Sequence, residues 1–332
     1  MSDFQLVTPD SVANRQAKPT GAERWTLLEA HFTSADHPPT DDPSHALHIP
    51  GAIQVHPSYL EAGLNRAKYY PLYGCPADGN LLPDDELRSA IRRLGITPDT
   101  TVVVYGRDPD GTMAAARLVW GLLYAGVQRV RLLDGGLAGW LDFGGETVPN
   151  IVEADDVARG TADVVDELDA WPTRPDILAT TEEVRAVTRS SGSVRSKLVD
   201  VRDAGEWDGT ITDHYSFFSS AGHIPTAIHQ GEWDNLCDRA THSLAPRLDA
   251  VARRWRAQGI LDADVQSGDT TLIFYCGTGW RSSIAFLVAQ LLGLRAKNYD
   301  GGFYGWSRAD AMAPLANPQQ PQLMAMARNR VG

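Results

Sequence analysis

This sequence has few cysteines and no long apolar run, and each of these features excludes some classes of protein. The 332 residues include three cysteines, at positions 75, 237 and 276, with no Cys-x-x-Cys pair and no Cys/His pair at zinc spacing. This argues against a disulfide framework and a structural metal. No uncharged apolar run approaches about 18 residues, so no membrane span is predicted. The first residues lack a basic segment followed by an apolar one, and we expect a reduced, cytoplasmic protein.

Positive charge is also in deficit. The chain has 30 Lys and Arg against 42 Asp and Glu, which gives a formal net charge of −12 and a pI near 5.1. This balance argues against binding nucleic acid or an anionic membrane through bulk electrostatics. An anionic substrate would have to be attracted by a local field. The histidines match no metal-ligand pattern, and neither a metal nor an organic cofactor is predicted.

The chain contains an internal repeat. Three phrases occur twice in the same order, at 48–53 and 223–228, at 99–106 and 269–276, and at 134–140 and 300–306. Matches in a constant order indicate a tandem duplication. The second copy of one phrase ends in Cys276 where the first ends in Gly106.

Each copy alternates short apolar strands with apolar helices, which predicts an α/β fold. Such alternation implies two tandem domains, each a parallel sheet covered by helices on both faces. The segment between the copies mixes Asp, Glu, Pro and Gly without periodicity, as linkers do. The predicted organisation is a first domain at 1–145, a linker at 146–175, a second domain at 176–315 and a tail at 316–332.

Cys276 opens a glycine-rich loop between a predicted strand and a predicted helix that begins near Ser282, which is where open α/β sheets carry their chemistry. Gly277 and Gly279 let the backbone curl so that successive N–H groups face inward, and the helix N-terminus adds its positive end. Together with Arg281, this setting favours the thiolate, the reactive form of cysteine. The loop therefore predicts that Cys276 is a nucleophile.

These motifs resemble those of tandem-domain rhodaneses, which are sulfurtransferases. The shared features are the cysteine loop, a Gly-His-Ile-Pro-x-Ala segment before it and an Asp-Gly-Gly-x-x-x-Trp segment after it, and the resemblance covers nearly the whole chain. It implies a catalytically silent first domain, in agreement with Gly106. It also implies that a donor such as thiosulfate, 3-mercaptopyruvate or polysulfide leaves its sulfur as a persulfide on Cys276. A thiol, cyanide or another nucleophile then accepts that sulfur.

The resemblance also suggests roles for residues around the cysteine. Thr278 replaces a serine of the mercaptopyruvate enzymes, with His48 as its relay partner across the domain interface. Arg202 matches one arginine of their carboxylate clamp, whereas the expected second arginine is missing from the segment 205–208. The predicted catalytic residues are Cys276, Thr278 and Arg281, and the predicted binding residues are Gly277, Gly279, Trp280, Arg202, Tyr215 and His48.

Several alternatives stay open. Phosphatases of this fold use Cys-x5-Arg, but only four residues separate Cys276 from Arg281, which disfavours them. Arg281 could instead form an ion pair with an acid such as Glu206. The Gly-Trp-Arg ending resembles that of ergothioneine-forming sulfurtransferases, which add sulfur to an imidazole ring, and Tyr215 is a candidate proton donor there. A further alternative is non-enzymatic: the protein would be a persulfide relay or sensor that docks a protein partner.

Overall fold

The structure is a computed structural model, and it describes residues 4–17, 24–32, 47–62, 80–107, 111–160, 171–190, 194–211, 220–238 and 240–308. The strands in these residues are β1 (Gln5–Val7), β2 (Trp25–Ala30), β3 (Ala52–Val55), β4 (Thr101–Gly106), β5 (Arg129–Leu133), β6 (Val152–Glu153), β7 (Leu178–Ala179), β8 (Ser196–Asp200), β9 (Ile228–His229), β10 (Thr271–Tyr275) and β11 (Ala296–Tyr299). The α-helices are α1 (Pro9–Ala17), α2 (Asp84–Arg93), α3 (Gly111–Tyr124), α4 (Gly136–Asp142), α5 (Ala154–Gly160), α6 (Thr181–Arg189), α7 (Ala204–Asp208), α8 (Leu248–Ala257), α9 (Ala263–Ser267), α10 (Arg281–Leu291) and α11 (Gly302–Arg308).

The strands form two parallel sheets, one in each half of the chain. The first has the order β1-β5-β4-β2-β3-β6 and the second the order β7-β11-β10-β8-β9. Strand β10 lies between β8 and β11, with Tyr275 opposite Asp200 in the register. Strand β4 holds the equivalent central place in the first sheet. The predicted fold class, two tandem α/β units with parallel sheets, is confirmed.

The segment 146–175 differs from its predicted irregular structure. Strand β6 lies within it and extends the first sheet, because Val152 pairs with Ile53 of β3. Helix α5 follows directly. A two-residue strand is too short to show a hydrophobic period, so the sequence pattern could not reveal it.

Alternate side chains of the central strands enter different cores, as the two-residue period of a strand requires. In β10, Leu272 and Phe274 point into a core that both halves share, whereas Ile273 and Tyr275 point into a separate outer core. The first sheet has the same arrangement, with its outer core around Trp140. Each sheet is therefore covered on both faces.

Helices α3 and α10 pack against each other and join the two halves. Both are apolar around nearly their whole circumference, which is typical of helices buried inside a protein. Their side chains belong to the shared core, so the two domains form one packed body. No helix within the described ranges is long and apolar enough to cross a membrane.

Candidate active site

Cys276 lies at the carboxyl edge of the second sheet. It follows β10 directly, and α10 begins at Arg281, so the loop 276–280 connects a central strand to a helix N-terminus. In open α/β sheets this edge is where ligands bind. The strand, the loop and the helix therefore have the predicted relationship.

Hydrogen bonds from α11 hold the first two carbonyl groups of the loop. The N–H of Phe303 donates to the oxygen of Cys276 at 2.7 Å, and the N–H of Tyr304 donates to the oxygen of Gly277 at 2.9 Å. Both donors belong to the first turn of α11. The start of this helix is therefore fastened to the start of the loop.

The carbonyl of Gly279 is bound by two side chains. Asn298 Nδ2 and Ser283 Oγ each donate to its oxygen at 2.9 Å. Gly279 itself has φ +83°, a left-handed conformation that glycine adopts without a Cβ penalty. The loop therefore turns sharply at this residue.

The direction of these carbonyls fixes the direction of the neighbouring N–H groups. In a trans peptide the C=O of one residue and the N–H of the next point in opposite directions. Because the carbonyls of residues 276, 277 and 279 are bound by α11, Asn298 and Ser283, the N–H groups of residues 277, 278 and 280 point away from these partners. This geometry suits an anion-binding hollow of the kind that successive amides make.

The sulfur of Cys276 is buried but has a polar neighbour. The residue is 1% exposed, and Ser282 Oγ lies 3.6 Å from its Sγ. The same hydroxyl lies 2.6 Å from Asn298 Oδ1. A hydroxyl has one proton to donate, so Ser282 can bond Asn298 when the sulfur is protonated and turn to the sulfur when it is an anion.

Arg281 forms a bidentate ion pair with Glu206 of α7. Its two terminal nitrogens lie 2.7 and 2.9 Å from the carboxylate oxygens, and Asp203 lies 3.7 Å away. Arg281 is only 6% exposed. The structure thus forms the ion pair that was the alternative to a substrate-facing role, although a guanidinium fork can bind more than one partner.

Arg202 is buried between β8 and α11. It pairs with Asp200 through an Nη2–Oδ2 distance of 2.6 Å, donates to the oxygen of Gly222 at 2.9 Å, and lies over the ring of Phe303 at 4.0 Å. It is 2% exposed. These contacts fix β8 and α11 relative to each other, and a substrate-binding role for Arg202 stays a prediction.

No hydrogen bond joins His48 to Thr278 within the described residues, and the predicted relay stays a prediction. Nδ1 of His48 lies 2.9 Å from both Glu29 and Arg107, and the backbone of His48 pairs with that of Val148. The side-chain hydroxyl of Thr278 makes no hydrogen bond within the described part of the chain. Tyr215 lies at 212–219, outside the residues that the structure describes.

Sequence reasoning missed a buried ionic cluster that links the first domain to the loop. Arg117 of α3 binds Glu61 through Nε at 2.8 Å and Asp300 through Nη1 at 2.6 Å. Burial raises the pKa of Glu61 to about 7, and the adjacent guanidinium and the Trp280 indole act in the opposite direction. Arg117 is a lone charge in an otherwise apolar helix, and that was the signal available in the sequence.

Aromatic and imidazole rings from the first domain surround Trp280. Phe32 lies 5.5 Å and His56 5.8 Å from the Trp280 ring, between ring centroids, and His31 lies 5.3 Å from His56. Burial lowers the pKa of His31 to about 4 and of His56 to about 3, so both rings are neutral near pH 7. The N–H of Ser58 donates to His56 Nδ1, which places the ring proton on Nε2.

Acidification should stabilise the wild-type chain more than a Glu61→Gln variant. The folded state holds a proton on Glu61 up to about pH 7, whereas the ordinary pKa is 4.5. This contribution is complete below the ordinary pKa and is lost as the pH rises through about 7. Between about pH 8 and about pH 5.5 we expect the wild type to gain about 2 kcal/mol more than the variant in free energy of unfolding. Urea denaturation at both pH values measures this, and equal gains would contradict it.

The part of the chain that the structure describes contains no group of three His, Cys, Asp or Glu residues placed to hold a metal ion. Among the three cysteines, Cys276 and Cys237 are free and buried, and Cys75 lies outside the described residues.

A duplicated parallel α/β domain with one cysteine at a central strand-to-helix loop defines the tandem class of sulfurtransferases. The Rhodanese-like domain family model matches residues 33–143 and 180–309, and the chain belongs to this family. Thiosulfate sulfurtransferase YnjE of Escherichia coli is 32% identical over 95% of this chain and 66% of its own length. Thiosulfate sulfurtransferase of Azotobacter vinelandii is 30% identical over 78% of this chain and 82% of its own length.

Among solved structures, the chain is similar to that of EanB carrying a cysteine persulfide, in a tetrahedral intermediate state with ergothioneine. The TM-score is 0.73 at 28% identity, over 94% of this chain and 70% of the EanB chain. Another structure is an EanB variant in which a threonine two positions after that cysteine is replaced by alanine, in complex with hercynine. Thr278 has the same spacing from Cys276.

Proposed function

We propose that this protein transfers sulfane sulfur through a persulfide on Cys276. In the first half-reaction the thiolate attacks the outer sulfur of a donor, an S–S bond forms to Cys276, and the donor's own bond to that sulfur breaks. With thiosulfate the leaving group is sulfite, which departs with the electron pair of that bond. The donor classes are thiosulfate, 3-mercaptopyruvate and polysulfide.

In the second half-reaction an acceptor nucleophile attacks the outer sulfur of the persulfide. The new bond forms to the acceptor, the S–S bond breaks, and its electron pair returns to Cys276 as the thiolate. With cyanide the product is thiocyanate. No external oxidant or reductant is required. Thiosulfate and polysulfide pass on their sulfur at a constant oxidation level, and 3-mercaptopyruvate keeps the electron pair of its broken C–S bond as the enolate of pyruvate.

The conformation of the loop 276–281 carries this proposal. Its carbonyls at 276, 277 and 279 are bound elsewhere, which leaves the amide N–H groups of residues 277, 278 and 280 available to stabilise the thiolate and the persulfide anion. Ser282 can add a hydrogen bond to whichever anion is present. The corresponding loop of the first domain, at 106–111, has Gly106 in place of the cysteine and contains no thiol that could carry sulfur.

The protein should gain the mass of one sulfur atom from at least one donor, and the added sulfur should lie on Cys276. Reduced protein is incubated with each donor in turn and weighed intact, and peptide mapping then locates the modification. Cys237 and Cys75 serve as internal controls in the same sample. Uptake of sulfur only at these two residues, or no uptake from any donor, would refute the proposal.

A second candidate function is C–S bond formation on a small imidazole acceptor. The spacing of Thr278 from Cys276 supports it, as does the cluster of uncharged rings around Trp280, which presents flat surfaces beside the loop. The experiment supplies a histidine betaine and polysulfide, and it analyses the products. A thiolated imidazole favours this function, whereas turnover only with cyanide or thiols eliminates it.

A further inference from the structure

The two domains meet through matching contacts, one on the catalytic side and one on the silent side. Asp300 follows β11 and accepts from the N–H of Leu81 at 2.9 Å. Its repeat counterpart, Asp134, follows β5 and accepts from the N–H groups of Leu244 at 2.6 Å and Ala245 at 3.2 Å. Each aspartate therefore reaches across to the other domain in the same way.

Buried charge is added on the catalytic side of this symmetric arrangement. The repeat offset of 170 residues relates Arg117 of α3 to Leu287 of α10, and Glu61 and Cys237 each follow a matching 3-10 helix. Arg117 is 1% exposed and Leu287 is 0% exposed. The silent side thus has a leucine and a cysteine where the catalytic side has an arginine and a glutamate.

This asymmetry indicates that the charges are not needed for the domains to dock. Removing charges from water is expensive, and well-packed apolar groups of similar volume often stabilise an interface as well as a buried ion pair does. The silent side achieves the same docking with apolar groups at these positions. We attribute the free energy spent on burying these charges to a requirement that exists only beside Cys276.

The ionic cluster contacts two consecutive residues of the cysteine loop. Gly279 packs directly on Asp300, since a Cβ at residue 279 would lie 2.8 Å from the Asp300 carbonyl oxygen and 3.2 Å from its Oδ1. The next residue, Trp280, faces Glu61 with its indole. Arg117 joins these two carboxylates, so one side chain of the silent domain supports the loop at two points.

We propose that Arg117, acting through Asp300 and Glu61, is a positioning residue that holds the loop in the conformation that its amides need to bind the anion formed at Cys276. The proposal rests on the function proposed above. It means that the silent domain contributes to the reaction through the conformation of the cysteine loop. A substitution of Asp300, beside the cysteine loop, should then slow sulfur uptake more than the matching substitution of Asp134 on the silent side.

The test compares Asp300→Asn with Asp134→Asn. Both substitutions are isosteric, and both remove a carboxylate that accepts backbone N–H bonds from the other domain. The Cys276 persulfide is followed by intact mass after rapid mixing with the donor that modifies the wild type. We expect Asp300→Asn to lower the maximal rate at least about tenfold with little change in half-saturating donor, and Asp134→Asn to change it less than about twofold.

Melting temperatures of both variants separate positioning from loss of folding. If Asp300→Asn does not fold, Glu61→Gln serves in its place at about pH 8, where Glu61 is ionised, because it keeps the acceptor oxygen for Arg117 and loses only the charge. Arg117→Lys should restore part of the rate relative to Arg117→Met. Equal rates in the two matched variants would overturn the positioning role, whereas a wild type that takes up no sulfur would instead refute the proposed function.

Discussion

Replacement of Cys276 by serine should abolish sulfur transfer, with a loss of about 10³-fold or more in kcat/KM. Serine is close in volume to cysteine, so the loop and the hydrogen bonds that its carbonyls accept should persist. Its hydroxyl is not ionised near neutral pH and cannot hold a transferable sulfur, so both half-reactions lose their carrier. The rate of thiocyanate formation from the active donor and cyanide measures this loss.

Cys237→Ser is the matched control for this change. Cys237 is buried beside α10 at 5% exposure and its sulfur donates to the oxygen of Asp234, so the same substitution is tested in a similar setting. We expect its melting temperature to fall slightly and its transfer rate per folded molecule to stay within about twofold of the wild type. Retained transfer in Cys276→Ser would show that another residue carries the sulfur.

The second large effect is expected for Gly302→Ala, at the start of α11. Gly302 has φ +54°, and a Cβ there would contact the backbone oxygen of Gly277 and lie 2.8 Å from that of Cys276. Alanine must therefore push α11 away from the loop and stretch the bonds that orient its amides. We expect a loss of about 3 kcal/mol in stability and of about 100-fold in sulfur transfer. Urea denaturation and steady-state kinetics measure the two effects.

The repeat supplies a matched variant for this prediction as well. Gly136 is the counterpart of Gly302, with φ +55°, and a Cβ at this position would lie 2.5 Å from the oxygen of Gly106. Gly136→Ala should lose similar stability and keep most of its transfer rate, because the disturbed loop has no cysteine. If both variants lose transfer equally, the loss reflects general destabilisation, and the orienting role assigned to α11 is wrong.

Much of the fold could be predicted from the sequence because it depends on local patterns. The apolar strand that ends at Tyr275 and the helix stopped by Gly293 are read from short windows, and the repeated phrases relate the two halves. The same reasoning predicts a helix from Asp84 to Arg93 that is stopped by Gly95, and α2 spans Asp84–Arg93. The pairing of Arg281 with an acid such as Glu206 was weighed as an alternative and is present.

The parts of the site that were missed depend on how the domains dock. Glu61, Arg117 and Asp300 lie far apart in the chain, and no local period shows that they meet. The partner of His48 could not be read from the sequence for a related reason, because Glu29 of β2, whose carboxylate lies 2.9 Å from its ring, is 19 residues away in the chain.

The packing of α3 against α10 gives the molecule the character of a dimer fused into one chain. Equivalent surfaces meet, as in an isologous homodimer, and Asp300 and Asp134 each accept a backbone N–H from the other half. With the positioning role proposed for Arg117, the half without a nucleophile contributes to the reaction of the other half. A duplicated scaffold of this kind can therefore be functionally unequal while both halves serve one site.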